Sequence, residues 1–141
     1  MGREPLPEEL VRDCVALGGL LRQAIAGALA PLGVTPEQHE LLGLLASGLT
    51  TPKALAEASG RDKTTLSRAV ARAAKAGFVA PARSEEDKRK QVLEVTPRGA
   101  AVLEQARRAV ERASPKLVAD LTPKERRRLA KIVRKLKRRL G

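Results

Sequence analysis

The chain has 141 residues and a formal net charge of +12, from 28 Lys and Arg against 16 Asp and Glu. A single cysteine excludes an internal disulfide, and one cysteine with one histidine does not make a tetrahedral zinc site. With 43% hydrophobic residues but only one aromatic, Phe78, any core must be built from Leu, Val, Ile and Ala.

The charge is unevenly spread. Residues 1–50 hold three basic and six acidic side chains, net −3, whereas residues 51–141 hold 25 basic and 10 acidic, net +15. Such a field implies a polyanionic partner, with nucleic acid the first candidate and an anionic membrane the second. The opening MGREPLPEEL is acidic and has no apolar core of a signal peptide. Residue 6 is Leu, which breaks the myristoylation pattern. No apolar run approaches the roughly 20 residues of a membrane helix, so a soluble intracellular protein is expected.

Residues 7–30 read as a long first helix. Leu10, Cys14, Leu17, Leu21, Ala24 and Ala28 alternate steps of four and three, a heptad-like seam. Val11, Leu20, Ile25 and Leu29 widen it enough to face both an intrachain core and a second subunit. Gly18 and Gly19 weaken its middle or admit a close helix. After a turn at 31–34, the pair Thr35-Pro36 opens a second helix to about Ser47. The same signal recurs at Thr51-Pro52, Thr96-Pro97 and Thr122-Pro123, with Ser114-Pro115 as a variant. Thr caps the first turn and Pro takes the first position, where no N–H is needed. Thr35 with Gln38 and Thr122 with Glu125 extend this to capping boxes.

Thr51 opens a short third helix with Leu55 and Ala58 inward, ended by Gly60. The fourth helix is DKTTLSRAVARAAKAG, capped by Asp62 and closed by Gly77. On a helical wheel Leu66, Ala69, Val70 and Ala73 share one face. Thr64, Arg68, Ala71 and Lys75 share the other, flanked by Ser67 and Arg72, with no carboxylate after Asp62. A merely solvated face usually mixes signs. This composition suits a helix entering a DNA groove, where phosphates repel carboxylates and hydroxyls read base edges. Two short helices across a Gly-containing turn form a helix-turn-helix, with the second as recognition helix.

FVAPAR (78–83) and QVLEV (91–95) read as two strands flanking the charged loop SEEDKRK. They make a hairpin wing, with Pro81 confined to an edge or bulge. A fifth helix from Pro97 to about Ala113 turns Val102, Leu103, Ala106 and Val110 inward; Ser114-Pro115 is expected to break or kink it, with a short extra helix over 115–120. The last helix, from Pro123 to about Leu140, carries Leu129, Ile132, Val133, Leu136 and Leu140 as one stripe and is otherwise almost all Lys and Arg.

In this order of elements the chain resembles the MarR family of winged-helix transcriptional regulators over roughly residues 7–140. The resemblance rests on VTPEQHELLGLL (34–45), ALAEASGRDKTTLSRAVARAAKAGFV (54–79) and RSEEDKRKQVLEVTPRG (83–99). The last is the most specific, joining an Asp-x-Arg in the wing to a strand, a Thr cap and a Gly. The fold it implies is mainly α with a small β-hairpin: an N-terminal dimerisation helix (1–33), a winged helix-turn-helix (34–97) and C-terminal dimerisation helices (98–141). It implies a homodimer on a pseudo-palindromic operator in double-stranded DNA, in a bacterial or archaeal cytoplasm, with recognition helices in successive major grooves and wing tips in flanking minor grooves. The DNA-binding residues would be Lys63, Thr64, Thr65, Ser67, Arg68 and Arg72 on the recognition helix, and Arg83, Asp87, Lys88, Arg89 and Lys90 on the wing. Arg89 would be the minor-groove arginine, held by Asp87. Glu85 and Glu86 weigh against the wing as a phosphate contact; Arg83 and Lys88 to Lys90 weigh for it.

Two features depart from the family pattern. Pro81 stands where a basic residue is usual, so one phosphate contact is lost and irregular strand pairing is expected. Ala73 and Ala74 stand where a bulky apolar residue and a carboxylate are commoner, so looser helix packing is expected. Cys14 reads as a core thiol rather than a sensor: relatives that sense peroxide through a first-helix cysteine activate it with tyrosines, and this chain has none. The resemblance implies a small-molecule effector, for which His39, Leu17 and Leu21 are the candidate pocket; a chain without Trp or Tyr does not stack aromatic acids in the usual way, so either the pocket is aliphatic with a cation at its mouth or no ligand binds. No cofactor, metal, membrane partner or enzymatic activity is expected. The function expected is ligand-responsive repression. An architectural DNA-binding protein with little sequence preference is the alternative, favoured by the high charge and disfavoured by Thr64, Thr65 and Ser67.

Overall fold

Each of the four Thr-Pro pairs starts a helix in the computed structural model, which describes residues 2–141. α1 spans Pro7–Leu29 and runs into a short 3-10 turn; α2 spans Pro36–Ala46, α3 Pro52–Ser59 and α4 Lys63–Lys75. β1 (Val79–Arg83) and β2 (Gln91–Val95) follow, then α5 (Pro97–Leu117) and α6 (Pro123–Leu140). The Thr hydroxyls at 35, 51, 96 and 122 each accept a first-turn backbone N–H. Both expected capping boxes form, with Gln38 reaching back to the Thr35 N–H at 3.0 Å and Glu125 to the Thr122 N–H at 2.8 Å. α1 has half of such a box, because the Glu9 carboxylate accepts the Leu6 N–H at 2.9 Å.

The core lies where α2, α3, α4, the hairpin and the first half of α5 meet. Leu29, Leu42 and Leu55 are its largest fully enclosed side chains; each such burial stabilises by about 1.5–3 kcal/mol. Leu42 and Leu55 share one cluster with Leu41, Leu45, Leu66, Phe78 and Val102. Only the C-terminal end of α1 is buried: Leu29 is enclosed, but Leu10, Val11, Val15, Leu17 and Leu20 are exposed. No residue of α6 is buried.

Several expectations are corrected. Ser114-Pro115 does not break α5, which continues to Leu117, and residues 118–121 form a turn rather than a helix. Pro115 falls in the last turn, where the bond it removes belongs to the exposed Glu111, and the Ser114 hydroxyl donates to the Val110 carbonyl at 2.6 Å. Ala58 is exposed; Ala54 and Ala56 flank Leu55 instead. Ala109, unforeseen, is buried on α5. The hairpin pairs in regular antiparallel register over five positions despite Pro81, which sits opposite Leu93. The Leu93 N–H turns away from β1 to donate to the Thr50 carbonyl at 2.9 Å, so the pair is one that exchanges no ladder bonds and Pro81 needs no donor. Ala73 is fully buried, so α4 is not loosely seated at that position.

Cys14 is exposed rather than a core thiol. It lines an open cleft of about 510 Å³ with Leu17, Gly18 and Leu21 of α1 and the Leu129–Leu140 stripe of α6. The expectation about membrane length is also corrected: the helix from Pro7 to Leu32 is long and apolar enough, by length and composition alone, to cross a membrane. Between Cys14 and Pro31 only Arg22 is charged, a bias diluted by the alanines and glycines.

Candidate nucleic-acid interface

α4 owes its position to four anchors. The Asp62 carboxylate accepts the Thr65 backbone N–H at 2.8 Å and the Thr65 hydroxyl at 3.1 Å. Those bonds, the backbone one first, hold the Asp62 pKa below the usual aspartate value. Leu66 and Ala73 plug the inner face into the core. At the C-terminal end Gly77 is left-handed (φ 82°), and the Phe78 N–H donates to the Ala73 carbonyl at 2.9 Å. The turn from α3 is fixed by left-handed Gly60 (φ 67°) and by Arg61, whose guanidinium donates to Glu40 of α2 at 2.8 Å. That pair is partly buried, unlike the surface pairs elsewhere, and ties the helix-turn-helix to the core.

The outer face is as the wheel requires. Lys63, Thr64, Ser67, Arg68, Ala71, Arg72 and Lys75 are all exposed. Among the described residues, none of Lys63, Arg68 and Arg72 is in an ion pair. Thr65 differs from its neighbours. Its hydroxyl is turned back to Asp62 and serves the helix cap, leaving Thr64 and Ser67 as the free hydroxyls of this face.

The wing stands beside this face. Its loop is closed by the Lys90 N–H donating to the Asp87 carbonyl at 3.0 Å and the Ser84 N–H donating to the Lys90 carbonyl at 3.2 Å. Asp87 holds the arginine chiefly through the main chain, accepting the Arg89 N–H at 3.0 Å, while its contact to the guanidinium is longer, 3.7 Å. The Arg89 side chain is 96% exposed, free to reach outward. Arg83, Lys88 and Lys90 are likewise exposed. Lys90 and Gln91 share the walls of an open groove of about 860 Å³ with Lys53 of α3 and with Lys63, Leu66 and Ser67 of α4. Helix-turn-helix and wing thus share one groove, to which Lys53, Lys63 and Lys90 bring three cations and Glu57 one carboxylate. Lys53 and Gln91 in this groove were not foreseen, because neither belongs to the recognition helix or the loop tip.

The effector residues fall in different places. Leu17 and Leu21 line the cleft between α1 and α6, but His39 is not among its lining residues. His39 is half-buried on α2, and its Nδ1 is enclosed without a hydrogen-bond partner. Among the described residues no cluster of three or more His, Cys, Asp or Glu could hold a metal.

Residues 32–90, the helix-turn-helix and the first part of the wing, match the MarR family model. No curated protein matches the chain. Among solved structures, wild-type apo MarR from E. coli is similar at TM-score 0.81 and 26% identity, over 94% of this chain and 98% of that one. A cysteine-to-serine mutant of E. coli MarR complexed with operator DNA is similar at TM-score 0.79 and 24% identity, over 94% and 99%. A probable transcriptional regulator from Pseudomonas aeruginosa is similar at TM-score 0.69 and 27% identity, over 84% and 95%. The family match covers the reading elements and the structural likeness extends through α1, α5 and α6, so the chain has the winged helix-turn-helix fold of the MarR-family regulators it resembles.

Proposed function

We propose that this protein is a homodimeric, sequence-specific DNA-binding repressor that acts in the cytoplasm by occluding a promoter and is released by a small ligand. The observation that carries the reading is the outer face of α4: unpaired Lys63, Arg68 and Arg72, free hydroxyls on Thr64 and Ser67, no carboxylate, and the extended Arg89 of the wing beside it. Cations there position the helix on phosphates, and hydroxyls and guanidinium groups read base edges. Residues 34–97 would form the reading unit, and residues 1–33 and 98–141 the dimer base. The exposed apolar seams of α1 and α6 support the dimer, since they line one cleft and leave Leu17, Ile132 and Leu136 in solvent in a single chain. Gly18, with open space where a Cβ would stand, leaves room for a partner helix there.

Ligand release would act by changing the spacing of the two recognition helices; of the residues assigned to an effector, Leu17 and Leu21 line the α1–α6 cleft and His39 lies apart from it. The test is selection of bound sequences from a random DNA pool, repeated with candidate ligands. A palindrome with half-site centres roughly 10 bp apart is expected, bound with an affinity that falls steeply with salt. Recovery of no palindrome would overturn the reading in favour of an architectural DNA-binding protein.

A further inference from the structure

The positive half of the chain is not mainly the reading unit. α6 alone holds 10 Lys and Arg against one carboxylate, Glu125, a net of +9 out of the chain's +12. Glu125 is already engaged in the capping box at Thr122. On the helical wheel Lys124, Arg127, Lys131, Arg134, Lys135 and Arg138 share the face opposite the apolar stripe, with no carboxylate among them. All six are exposed, and among the described residues none is in an ion pair. α5 shows the alternative: Arg107 and Arg108 are paired with Glu104, and Arg107 also with Glu111, within the same helix. The unpaired cations of α6 form a ridge about 21 Å long from Lys124 to Arg138. In chain order α5, about 31 Å long, joins the hairpin to α6, and α6 lies across from Cys14, Leu17 and Leu21, in the half of α1 that projects from the core.

We propose that the outer face of α6 is a second nucleic-acid-binding surface, which docks the phosphate backbone of a duplex other than the one read by α4. This rests on the reading of α4 as a DNA-binding helix. A ridge of cations at one-turn spacing, without carboxylates or hydroxyl readers, matches the continuous negative charge of a duplex and carries no base code. Insertion into an anionic membrane would require the apolar stripe of the same helix, which instead faces α1 across the cleft. The consequence is bridging: a promoter-bound protein holds a second segment of DNA through contacts indifferent to its sequence.

The test uses the full chain on an immobilised duplex carrying the pool-selected sequence, followed by a labelled second duplex of unrelated sequence. Wild type should capture the second duplex, with a capture constant that falls steeply with salt. The variant Lys131→Gln, Arg134→Gln, Lys135→Gln and Arg138→Gln combined should still bind the first duplex. It should lose most capture, and the slope of log K against log salt for the second duplex should fall by about three to four. Because all four positions are exposed, the fold should persist, and light scattering checks that the mass of the assembly is unchanged. Binding of the first duplex without capture of the second by wild type would overturn this inference and leave the reading of α4 standing. Failure to bind any duplex at low salt would overturn the reading itself. Undiminished capture by the quadruple variant, or displacement of the second duplex from wild type by phosphatidylglycerol vesicles, would also overturn the inference.

Discussion

Gly99, in the first turn of α5, lies against the backbone carbonyl of Phe78, so close that a Cβ at position 99 would overlap the carbonyl oxygen and crowd the Val95 side chain. Thr96 completes the joint. Its hydroxyl donates to the Gly77 carbonyl at 2.5 Å and accepts the Gly99 N–H at 3.0 Å, and its own N–H donates to the Phe78 carbonyl at 3.0 Å. One threonine and one glycine thereby fasten the end of the recognition helix, the base of the wing and the start of α5.

Gly99→Ala sets two effects against each other. Alanine favours a helix over glycine by about 1 kcal/mol, less at a helix end. The clash is with main chain, which does not rotate away, and overpacking of this kind costs about 1–3 kcal/mol or more. The clash should win, lowering Tm by several degrees in thermal unfolding followed by circular dichroism. A variant as stable as wild type would show that the joint is looser than described.

Arg68→Ala should weaken binding to the selected sequence by about 1–3 kcal/mol and relax the preference at the bases it faces. Arg89→Ala should also weaken binding but shift selectivity in the A·T-rich flanks, where a narrow minor groove attracts an extended arginine. Footprints and selected sequences for both variants separate the roles. Unchanged affinity and footprint in Arg68→Ala would remove that residue from the interface.

Asp62 gives a pH dependence with a definite sign. Its folded pKa is lowered, first by the Thr65 backbone N–H and then by the Thr65 hydroxyl. The stabilisation it lends α4 is therefore complete above the ordinary aspartate range and is lost as pH falls through the lowered value. Asparagine also caps helices but does not titrate. The Tm difference between wild type and Asp62→Asn should therefore shrink or reverse on acidification, while Asp62→Ala should be less stable than either at neutral pH. A difference between wild type and Asp62→Asn that is flat with pH would show that the carboxylate's charge contributes nothing to the cap.

The starts of α2 to α6 were legible because each is written locally: a Thr or Asp, a free N–H three residues on, and in four cases a Pro. The outer face of α4 was legible because period and charge agree along one short segment. What escaped depends on distant partners. Arg61 meets Glu40 across 21 residues of sequence. Cys14 sits on a periodic apolar seam, and periodicity does not say whether the same chain covers it. Pro115 looked like a break because its cost was counted without its place in the last turn of α5. Thr65 looked like a base reader because its hydroxyl was counted free, although the cap claims it. The basic excess of residues 51–141 pointed to DNA, and its concentration in the last helix was legible too; that this helix faces α1 across a cleft was not.

The apolar seams give the last prediction. Leu17 is 49% exposed and Ile132 55% exposed in a single chain, yet both line the α1–α6 cleft. If a second copy fills it, a charge at either position is desolvated without a partner and association is lost. Leu17→Glu and Ile132→Glu should each run as a monomer at micromolar concentration in scattering measurements, with the helical content of wild type retained. Monomeric protein should occupy one half-site and lose cooperative binding to the palindrome, because the spacing between recognition helices is no longer fixed. A mass unchanged from wild type in both variants, or a monomeric wild type, would place the dimer interface elsewhere or exclude it.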